Sequence, residues 1–529
     1  MPFDVLTATA GDLRVLLEQR QVTSVQLVQA YLQQIRAHND DGARLRAVIS
    51  VVPEKQLLDT AAQLDRERES GKTRSLYHGI PFLAKVNTYL GRQSNAVPRL
   101  MKMLLQDNMW SAASFTLPTT CGAYALKDAV ARENADVVQA LLDAGLILLG
   151  KTNLSEMAGF KGDGGYAGWS TIGGQTQSPY VPDGIDPTDS WLGHSTPAGS
   201  SSGSAVAVAA GMAPVALGSE TDGSITQPSD RASLYSLKLS VGKASFRGIL
   251  PGTPLADTAG PMTKSPGDVA TLLDILEPLK EGSHRDFLTK SFVGLRIGFL
   301  DEKECVSSPN AVRPNDAYSE QFNHDFNKAM YLVEKAGAHV KRDIPLRKFS
   351  PEDDDMFDAI LAIDTHNLFP HFISGLDHSP VKTMQDLVDF NEKHADICLQ
   401  PGTPNQVALE RAATAEMFKE TYEEYTAALV RHNREEGIDA MLQENGVDVL
   451  IGPPRGRFNT IATAANYPIG TIPLGYATKF NGRAFGLVVV APENKESLIL
   501  QVMSAWEAVM PKRQPPPKLA NWDGTTSQK

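Results

Sequence analysis

Residues 197–204 have the sequence PAGSSSGS, and residues 217–225 have the sequence LGSETDGSI. Between these stretches lie an apolar, helix-compatible segment at 205–212 and a second apolar run at 213–217. Small residues let a backbone approach a substrate closely, while serine hydroxyls supply nucleophiles and proton relays. The sequence therefore predicts that the chemistry of this protein lies in its two Gly/Ser loops.

The segments on either side of these loops alternate between helix and strand. An amphipathic helix at 135–144 leads into an apolar strand at 146–149, and further strands are predicted at 447–451, 469–473 and 485–490. A helix that leads into a continuous apolar strand is typical of α/β proteins. We predict one large α/β domain with a central mixed, mostly parallel β-sheet that is covered by helices on both faces.

The single predicted domain, residues 1–529, is divided into four parts. Residues 1–75 are expected to form N-terminal helices, 76–280 a catalytic core, 280–440 a variable helical cap-like region, and 441–515 a return to the core sheet. Within the core, residues 257–262 are predicted to form a loop that opens the next helix.

The composition bounds the function classes. The chain has 529 residues, 42% of them hydrophobic, a net charge of −12 and scattered basic residues, which disfavours nucleic acid and anionic membranes as partners. It has only three cysteines and no run of about 18 apolar residues, so neither a disulfide framework nor a membrane span is expected. Because the N-terminus lacks a basic and then apolar leader, we expect a cytoplasmic protein.

The region 280–440 contains eight of the eleven histidines. The spacing of His366, His371 and His378 does not place them on one helical face, and Pro370 is expected to break the helix between the first two. We therefore interpret these histidines as surface and cap packing and predict no metal site.

A single lysine, Lys85, follows the apolar run at 79–84. One interpretation is that its stem lies along the strand while the ammonium reaches solvent at the strand end. The other is that desolvation keeps the amine neutral, as a lysine base requires. The lysine alone does not decide between the two.

Two further motifs are present but lack the context that their chemistry needs. Residues 162–167 match G-x-G-x-x-A, yet no strand precedes them and no amphipathic helix follows, so a turn-rich loop is favoured over a dinucleotide site. Residues 199–203 match G-x-S-x-G, which would make Ser201 the nucleophile of an α/β-hydrolase. That interpretation needs a preceding strand and a late histidine, and neither is found.

Several blocks occur together in a characteristic order. They are Gly79-Ile80-Pro81 with Lys85, and the runs 150–156, 173–175, 199–204, 220–225 and 257–262. On these blocks the chain resembles the amidase signature family, in the form of its peptide-amidase-like branch. The resemblance extends from about residue 8 to 280 and resumes at 467–473 and 482–509.

The resemblance implies a Ser–Ser–Lys triad in which a cis peptide bond precedes the bridging serine. Ser224 matches the nucleophile, Ser200 the bridging serine and Lys85 the base, and the two serines stand 24 residues apart as the family pattern requires. The turn Thr221-Asp222-Gly223-Ser224 offers consecutive backbone N–H groups for an oxyanion hole. Neither a metal ion nor an organic cofactor is called for.

The sequence departs from the family pattern at several positions. Val86 stands where an Asp is common, Ala123 where a Ser is frequent and Thr226 where an Arg is frequent. These changes leave the triad intact but are expected to reshape the acyl pocket. They favour a specialised substrate.

The implied activity is hydrolysis of a carboxamide, a primary or peptide-terminal amide, in a small-molecule substrate. The alternatives are acyl transfer to an amine or a biosynthetic role on an elaborate amide or ester, a glutaminase-like component of an amidotransferase, and a catalytically silent binding protein with this fold. Candidate substrate-binding residues are Gln175, Tyr124, Trp169, the stretch 99–115 and the region 280–440. The oligomeric state, a homodimer included, stays open.

Overall fold

The computed structural model of the protein describes residues 2–88, 90 and 117–520. Within these residues the chain forms one eleven-stranded sheet and two small two-stranded sheets. The strands are β1 Val48–Val51, β2 Pro81–Lys85, β3 Val130–Ala131, β4 Ile147–Thr152, β5 Trp169–Ser170, β6 Gly174–Gln175, β7 Val215–Glu220, β8 Tyr235–Lys238, β9 Thr258–Thr263, β10 Arg296–Leu300, β11 His339–Ile344, β12 Leu376–Asp377, β13 Val449–Gly452, β14 Ile469–Tyr476 and β15 Ala484–Val490.

Helices precede, separate and follow these strands. The α-helices span Ala10–Glu18, Ser24–His38, Glu54–Glu69, Asp136–Asp143, Ser202–Ala209, Thr226–Arg231, Pro266–Leu276, Asp316–Lys335, Pro351–Ser374, Met384–Lys393, Ala395–Cys398, Val407–Ala413, Lys419–Val430, Ala440–Asn445, Phe458–Ala464, Glu496–Val509 and Pro517–Ala520. A π-helix occupies Arg431–Asp439, and 3-10 helices occupy Tyr124–Leu126, Glu156–Gly159 and His284–Phe287.

The main sheet has the strand order β1-β4-β2-β7-β9-β8-β14-β15-β13-β10-β11. Its neighbours β4-β2, β2-β7, β13-β10 and β10-β11 run parallel, and its six other neighbouring pairs run antiparallel. The α/β class and the mixed sheet are confirmed, whereas parallel pairs are fewer than the sequence predicted. A strand that is buried on both faces carries the same apolar run whichever way it points, so its sequence does not report its direction.

Three neighbouring parallel strands end at one edge of the sheet and bring the segments that follow them together. In β4, β2 and β7 the chain runs in one direction, with Lys85 opposite Thr152 and Ala84 opposite Leu217. The carboxyl ends of such strands lie at one edge of a sheet, where open α/β sheets bind their ligands. This edge therefore brings together Lys85, the loop after Thr152 and the turn after Glu220.

Two expectations from the sequence are wrong. Residues 258–263, predicted as a loop, form β9, which pairs with both β7 and β8 in the middle of the sheet. Pro370 does not break its helix, because Pro351–Ser374 continues through it. Residues 257–262 include a Gly and a Pro, which are rare in strands, but pairing on both sides holds the segment as a strand. Tertiary contacts likewise override the local preference of Pro370.

The region 280–440 contributes to the sheet as well as to the surface. Its strands β10 and β11 form one end of the main sheet. Helix Asp316–Lys335 buries Phe322 and Phe326 in the core that these strands share with helix Glu496–Val509. The helices between residues 351 and 430 follow β11 in the sequence.

The capping signal of the second helix is confirmed, and two further observations concern the cysteines and the helix lengths. Thr23 and Gln26 form the predicted capping box of helix Ser24–His38. The three cysteines are free and buried. Among the residues that the structure describes, none of the helices has the length and hydropathy that a membrane crossing requires.

Candidate active site

Lys85 ends β2 and is buried, with 1% of its surface exposed. Its ammonium nitrogen Nζ donates hydrogen bonds to Ser200 Oγ at 2.8 Å, to Ser219 Oγ at 3.0 Å and to the carbonyl oxygen of Ser219 at 3.0 Å. The side chain therefore points along the sheet edge into the Gly/Ser loops and does not reach solvent. The desolvated arrangement, one of the two interpretations that the sequence left open, is the one found.

Burial sets the charge state of this lysine. Desolvation lowers the pKa of Lys85 to about 7, and it is opposed only in part by the negative charges of Glu220 and Asp257. A group with this pKa is substantially neutral near pH 7 and can accept a proton. Lys85 thus has the properties of a general base.

In the first Gly/Ser loop, Ser200 contacts Lys85, and the next two serines form hydrogen bonds that stabilise the loop. The Gly199–Ser200 peptide bond is cis, and the carbonyl oxygen of Ser200 accepts a hydrogen bond from the backbone N–H of Ser155 at 3.0 Å. Ser201 Oγ donates to the carbonyl oxygen of Ser219 at 3.1 Å, and Ser202 Oγ donates to that of Ala198 at 2.6 Å. The hydroxyls of Ser201 and Ser202 are therefore engaged with the backbone.

Close packing explains Gly203 at the start of helix Ser202–Ala209. A Cβ at this position would lie 2.3 Å from the carbonyl oxygen of Ala47 and 2.5 Å from the backbone nitrogen of Asn153. No side chain fits in that space, so only glycine lets the helix approach the loop after β4 this closely.

Ser224 lies in the turn after β7, opposite the first loop. Its carbonyl oxygen accepts a hydrogen bond from the backbone N–H of Ser201 at 2.9 Å, which ties the two loops together. Within the part of the chain that the structure describes, Ser224 Oγ has no hydrogen-bond partner, and Ser200 Oγ is bonded only to Lys85. The structure thus brings Lys85 and Ser200 into contact and leaves the Ser224 hydroxyl unengaged in the facing turn.

Three backbone N–H groups of the second turn are also without a partner in the described part of the chain. The N–H groups of Asp222, Gly223 and Ser224 donate to no acceptor among the described residues. Gly223 has a φ of 79°, and a Cβ there would lie 2.5 Å from Gln227 Nε2. This left-handed conformation exposes successive N–H groups of the kind that stabilise an oxyanion.

Two buried carboxylates hold this turn in place. Glu220 Oε2 accepts the backbone N–H groups of Ile225 at 2.6 Å and Thr226 at 2.9 Å. Asp257 Oδ1 accepts the hydroxyl of Thr221 at 2.6 Å. Burial raises the pKa of both carboxyl groups, that of Asp257 to about 7.

Sequence reasoning missed several residues that support the site. Ser219 Oγ accepts hydrogen bonds from both Lys85 Nζ and Asn87 Nδ2, each at 3.0 Å. Ser219 and Glu220 stand in the second Gly/Ser stretch and Asn87 stands two residues after Lys85, so proximity to the motifs was the available signal. Asp257 also stands in a matched block, 257–262, but that segment was interpreted as a loop, so its carboxylate was given no role.

The departures at Val86, Ala123 and Thr226 place no charged side chain in the site. Val86 and Ala123 are buried and apolar. Thr226 Oγ1 accepts a hydrogen bond from Asn459 Nδ2 at 2.6 Å, and Asp222 Oδ2 accepts the hydroxyl of Thr460 at 2.7 Å. Helix Phe458–Ala464, which lies late in the sequence, thereby braces the turn after β7.

The other substrate-binding candidates contact different parts of the molecule. Tyr124 packs against Phe390 and His394 and lies under the ammonium of Lys127. Trp169 pairs with Gln175 across β5 and β6, and Gln175 Nε2 donates to two backbone carbonyls. Their role in binding stays a prediction. Residues 99–115 lie outside the described part of the chain.

A pocket of ≈ 350 Å³ adjoins the two loops. Its lining includes Ala198 and Asp222 from the two loops, Gln227 from helix Thr226–Arg231, and residues from the segments 306–312 and 453–457. The region 280–440 thus contributes to a pocket next to the site.

The G-x-G-x-x-A motif at 162–167 and His366 both make structural contacts. A Cβ on Gly165 would lie 2.0 Å from the carbonyl oxygen of Gly402, so this glycine allows close packing of two loops. His366 Nδ1 is bonded to the carbonyl oxygen of Ala412. Among the described residues, no group of three or more His, Cys, Asp or Glu side chains is arranged to hold a metal ion.

Comparison with known proteins identifies the family to which this fold belongs. Residues 115–456 match the family described as Amidase. The native peptide amidase from Stenotrophomonas maltophilia has a solved structure that superposes with a TM-score of 0.81, at 31% sequence identity over 96% of this chain and 98% of that one. The chain belongs to the amidase family, and it is a hydrolase that acts on carbon–nitrogen bonds.

Two curated relatives agree with this assignment at different lengths. A probable amidase of Arabidopsis thaliana is 27% identical over 538 residues, which cover 98% of this chain and 93% of the relative. A glutamyl-tRNA(Gln) amidotransferase subunit from Nitrosomonas europaea is 31% identical over 309 residues, which cover 56% of this chain and 54% of that protein. The similarity to the amidotransferase is therefore partial.

Proposed function

We propose that the protein hydrolyses a carboxamide, a primary or peptide-terminal amide, through an acyl-enzyme on Ser224. Ser200 relays protons and Lys85 is the base. The observation that carries the proposal is the buried 2.8 Å hydrogen bond between Lys85 Nζ and Ser200 Oγ, across from an unengaged Ser224 hydroxyl.

In the first half-reaction Ser224 Oγ attacks the carbonyl carbon of the amide. Its proton passes to Ser200 Oγ, whose own proton passes to the neutral Nζ of Lys85. The N–H groups of Asp222, Gly223 and Ser224 are proposed to bind the oxygen that becomes negative. The proton returns through Ser200 to the leaving nitrogen, the C–N bond breaks, and ammonia or an amine departs.

In the second half-reaction a water molecule attacks the Ser224 ester. Lys85 accepts the water proton through Ser200 and then returns it to Ser224 Oγ as the ester C–O bond breaks. The product is a carboxylic acid, and the enzyme regains its starting protonation state. The same three side chains thus serve both steps, which requires that Lys85 accept and release a proton near neutral pH.

The test combines three variants with a direct readout of the acyl-enzyme. The wild-type protein is incubated with primary amides, peptide amides and esters, ammonia is assayed, and the intact mass is recorded. Ser224→Ala is expected to abolish both turnover and the adduct, and Lys85→Ala and Ser200→Ala to lower turnover by about three orders of magnitude or more. Wild-type-like activity in any of them would overturn the proposed triad.

Labelling with a fluorophosphonate probe separates this proposal from a silent fold. An activated Ser224 is expected to label in the wild-type protein and not in Ser224→Ala. Absence of labelling, adduct and ammonia together would favour a catalytically silent binding protein.

The partial similarity to the amidotransferase, together with the acyl-transfer alternative, calls for two added conditions. Glutamine is supplied with and without candidate partner proteins, and an amine is supplied as the acyl acceptor. Ammonia release from glutamine only with a partner, or amide formation in place of acid, would assign the acyl-enzyme a fate other than hydrolysis.

A further inference from the structure

The pocket beside the two loops is lined by more basic than acidic side chains. Its lining includes four arginines and two aspartates, the latter being Asp222 and Asp230. Burial among arginines lowers the pKa of His194, which also lines the pocket, to about 2, so this ring stays neutral and adds no charge. The pocket therefore carries an excess of positive charge next to the nucleophile turn.

Two of the arginines already form hydrogen bonds with oxygen atoms of the protein. Arg231 donates to the carbonyl oxygens of Leu192, Gly193 and Thr196 at 2.7 to 3.2 Å. Arg483 donates to Asp230 at 3.3 Å and to the carbonyl oxygen of Ala484 at 3.2 Å. Asp230 is therefore already bonded to a guanidinium.

A third arginine, Arg457, is half-exposed and has its own carboxylate partner. Its Nη2 lies 2.5 Å from an oxygen of Asp354 on helix Pro351–Ser374. It also lies over the ring of Phe349. Arg457 is thus neutralised at the rim of the pocket.

Arg455 differs from the other three. Its guanidinium stacks on Phe322, 4.3 Å from the ring centre, and its Nε is buried without a hydrogen-bond partner. In the described part of the chain it forms no ion pair. A buried donor that is left unpaired costs free energy, and a guanidinium on an aromatic face is well placed to bind a carboxylate with two parallel hydrogen bonds.

We propose that Arg455 binds a carboxylate of the substrate, so that the protein acts on anionic amides. This inference rests on the proposed function, because it places the carboxylate in the pocket that adjoins the turn carrying Ser224. The aromatic face of Phe322 fixes the plane of the guanidinium before the substrate arrives. The excess of positive charge in the pocket favours the carboxylate over an uncharged group of the same shape.

The test compares matched anionic and neutral substrates. The monoamides of succinic, glutaric and adipic acid carry the carboxylate on the acyl side, and N-acylglycines carry it on the amine side. The methyl ester of each compound is the neutral match. The wild-type protein is expected to prefer the free acid of one of these two series, which identifies the side of the scissile bond that faces Arg455.

Arg455→Met is expected to raise KM for the preferred acid by about ten- to one-hundred-fold, because a charge-assisted bidentate contact is lost. Turnover of its methyl ester is expected to stay within about twofold. Arg455→Lys keeps the charge but loses the planar fork, so its effect is expected to be intermediate. Arg411→Met removes an exposed arginine outside the pocket and is expected to behave as the wild type.

Two results would overturn the inference. One is a wild-type enzyme that turns over the methyl esters as well as the acids in both series. The other is an Arg455→Met variant that loses activity equally toward acids and esters, which would indicate a structural role. Fluorophosphonate labelling distinguishes this failure from a failure of the proposed function. If Ser224 labels and either result is found, the inference about Arg455 is wrong while the proposed nucleophile stands. If Ser224 does not label, the proposed function fails, and the inference that rests on it fails as well.

Discussion

Among single residues, Lys85 has the property that most directly controls the proposed reaction, a pKa lowered by burial to about 7. The base must be neutral, and the neutral fraction grows as the pH rises through the pKa. We therefore predict that kcat/KM rises about tenfold per pH unit below about pH 7 and levels off above it. The measurement is the pH profile with a neutral amide, for which substrate ionisation does not intervene.

The profile has a clear control. The residual activity of Lys85→Ala is expected to lose this acidic limb, because no group remains to titrate in that position. An acidic limb that persists unchanged in the variant would assign the titration to another residue.

Gly223 supports a second prediction at this scale. Its φ of 79° strains an alanine at this position, and the added Cβ, 2.5 Å from Gln227 Nε2, also requires the Gln227 side chain to move. Gly223→Ala is expected to lower kcat by about a hundredfold, as the loss of an oxyanion donor does. Steady-state kinetics measures the effect.

Gly242→Ala is the matched control for backbone strain. Gly242 has a φ of 83°, yet an added Cβ there meets nothing within 4 Å. This variant is expected to lose about 1 kcal/mol of stability from the left-handed conformation and to keep its activity. Equal losses of activity in the two variants would contradict the role given to the turn.

At the scale of elements, Glu220 connects β7 to helix Thr226–Arg231. Its carboxylate accepts the backbone N–H groups of Ile225 and Thr226 at the start of that helix. Glu220→Ala leaves both groups buried and unpaired, so we predict a loss of about 2–4 kcal/mol in the free energy of unfolding. Glu220→Gln keeps an acceptor oxygen and is expected to lose less.

Denaturant unfolding monitors this effect, with Glu392→Ala as the exposed control. A control loss as large as that of Glu220→Ala would show that the turn does not depend on the buried carboxylate. Serine-probe labelling of Glu220→Ala is expected to slow as well, since the same helix start positions the nucleophile turn.

At the scale of the whole molecule, Arg513 joins segments that are distant in sequence. Its guanidinium donates to the carbonyl oxygens of Leu6, Ala209 and Ser233 and to the hydroxyl of Tyr180. Arg513→Met is expected to lower the free energy of unfolding by about 2–4 kcal/mol, because several partly buried acceptors lose a charged donor. Thermal unfolding reports the change as a lower melting temperature.

Lys512→Met is the neighbouring control, since the Lys512 side chain is exposed. It is expected to leave the melting temperature unchanged. If both variants melt like the wild type, the C-terminal segment does not secure the N-terminal segment against the core.

The sequence by itself determined the parts of this protein that depend on neighbours along the chain. Capping residues and apolar periodicity gave the N-terminal helices, and residue order gave the blocks around Lys85, Ser200 and Ser224 on which the family was proposed. The cis peptide bond expected before Ser200 is found at Gly199–Ser200. These features are local, so their signals survive in the linear sequence.

Only the tertiary structure decided the direction of the strands, the strand at 258–263, the contact of Lys85 with Ser219 and the charge of the adjoining pocket. The bond from Lys85 to Ser219 spans 134 positions, and the bond from Asn459 to Thr226 spans 233. Arg455 and Phe322 are also far apart in sequence. Contacts at such separations arise from how the sheet is assembled, and no local propensity or spacing encodes them.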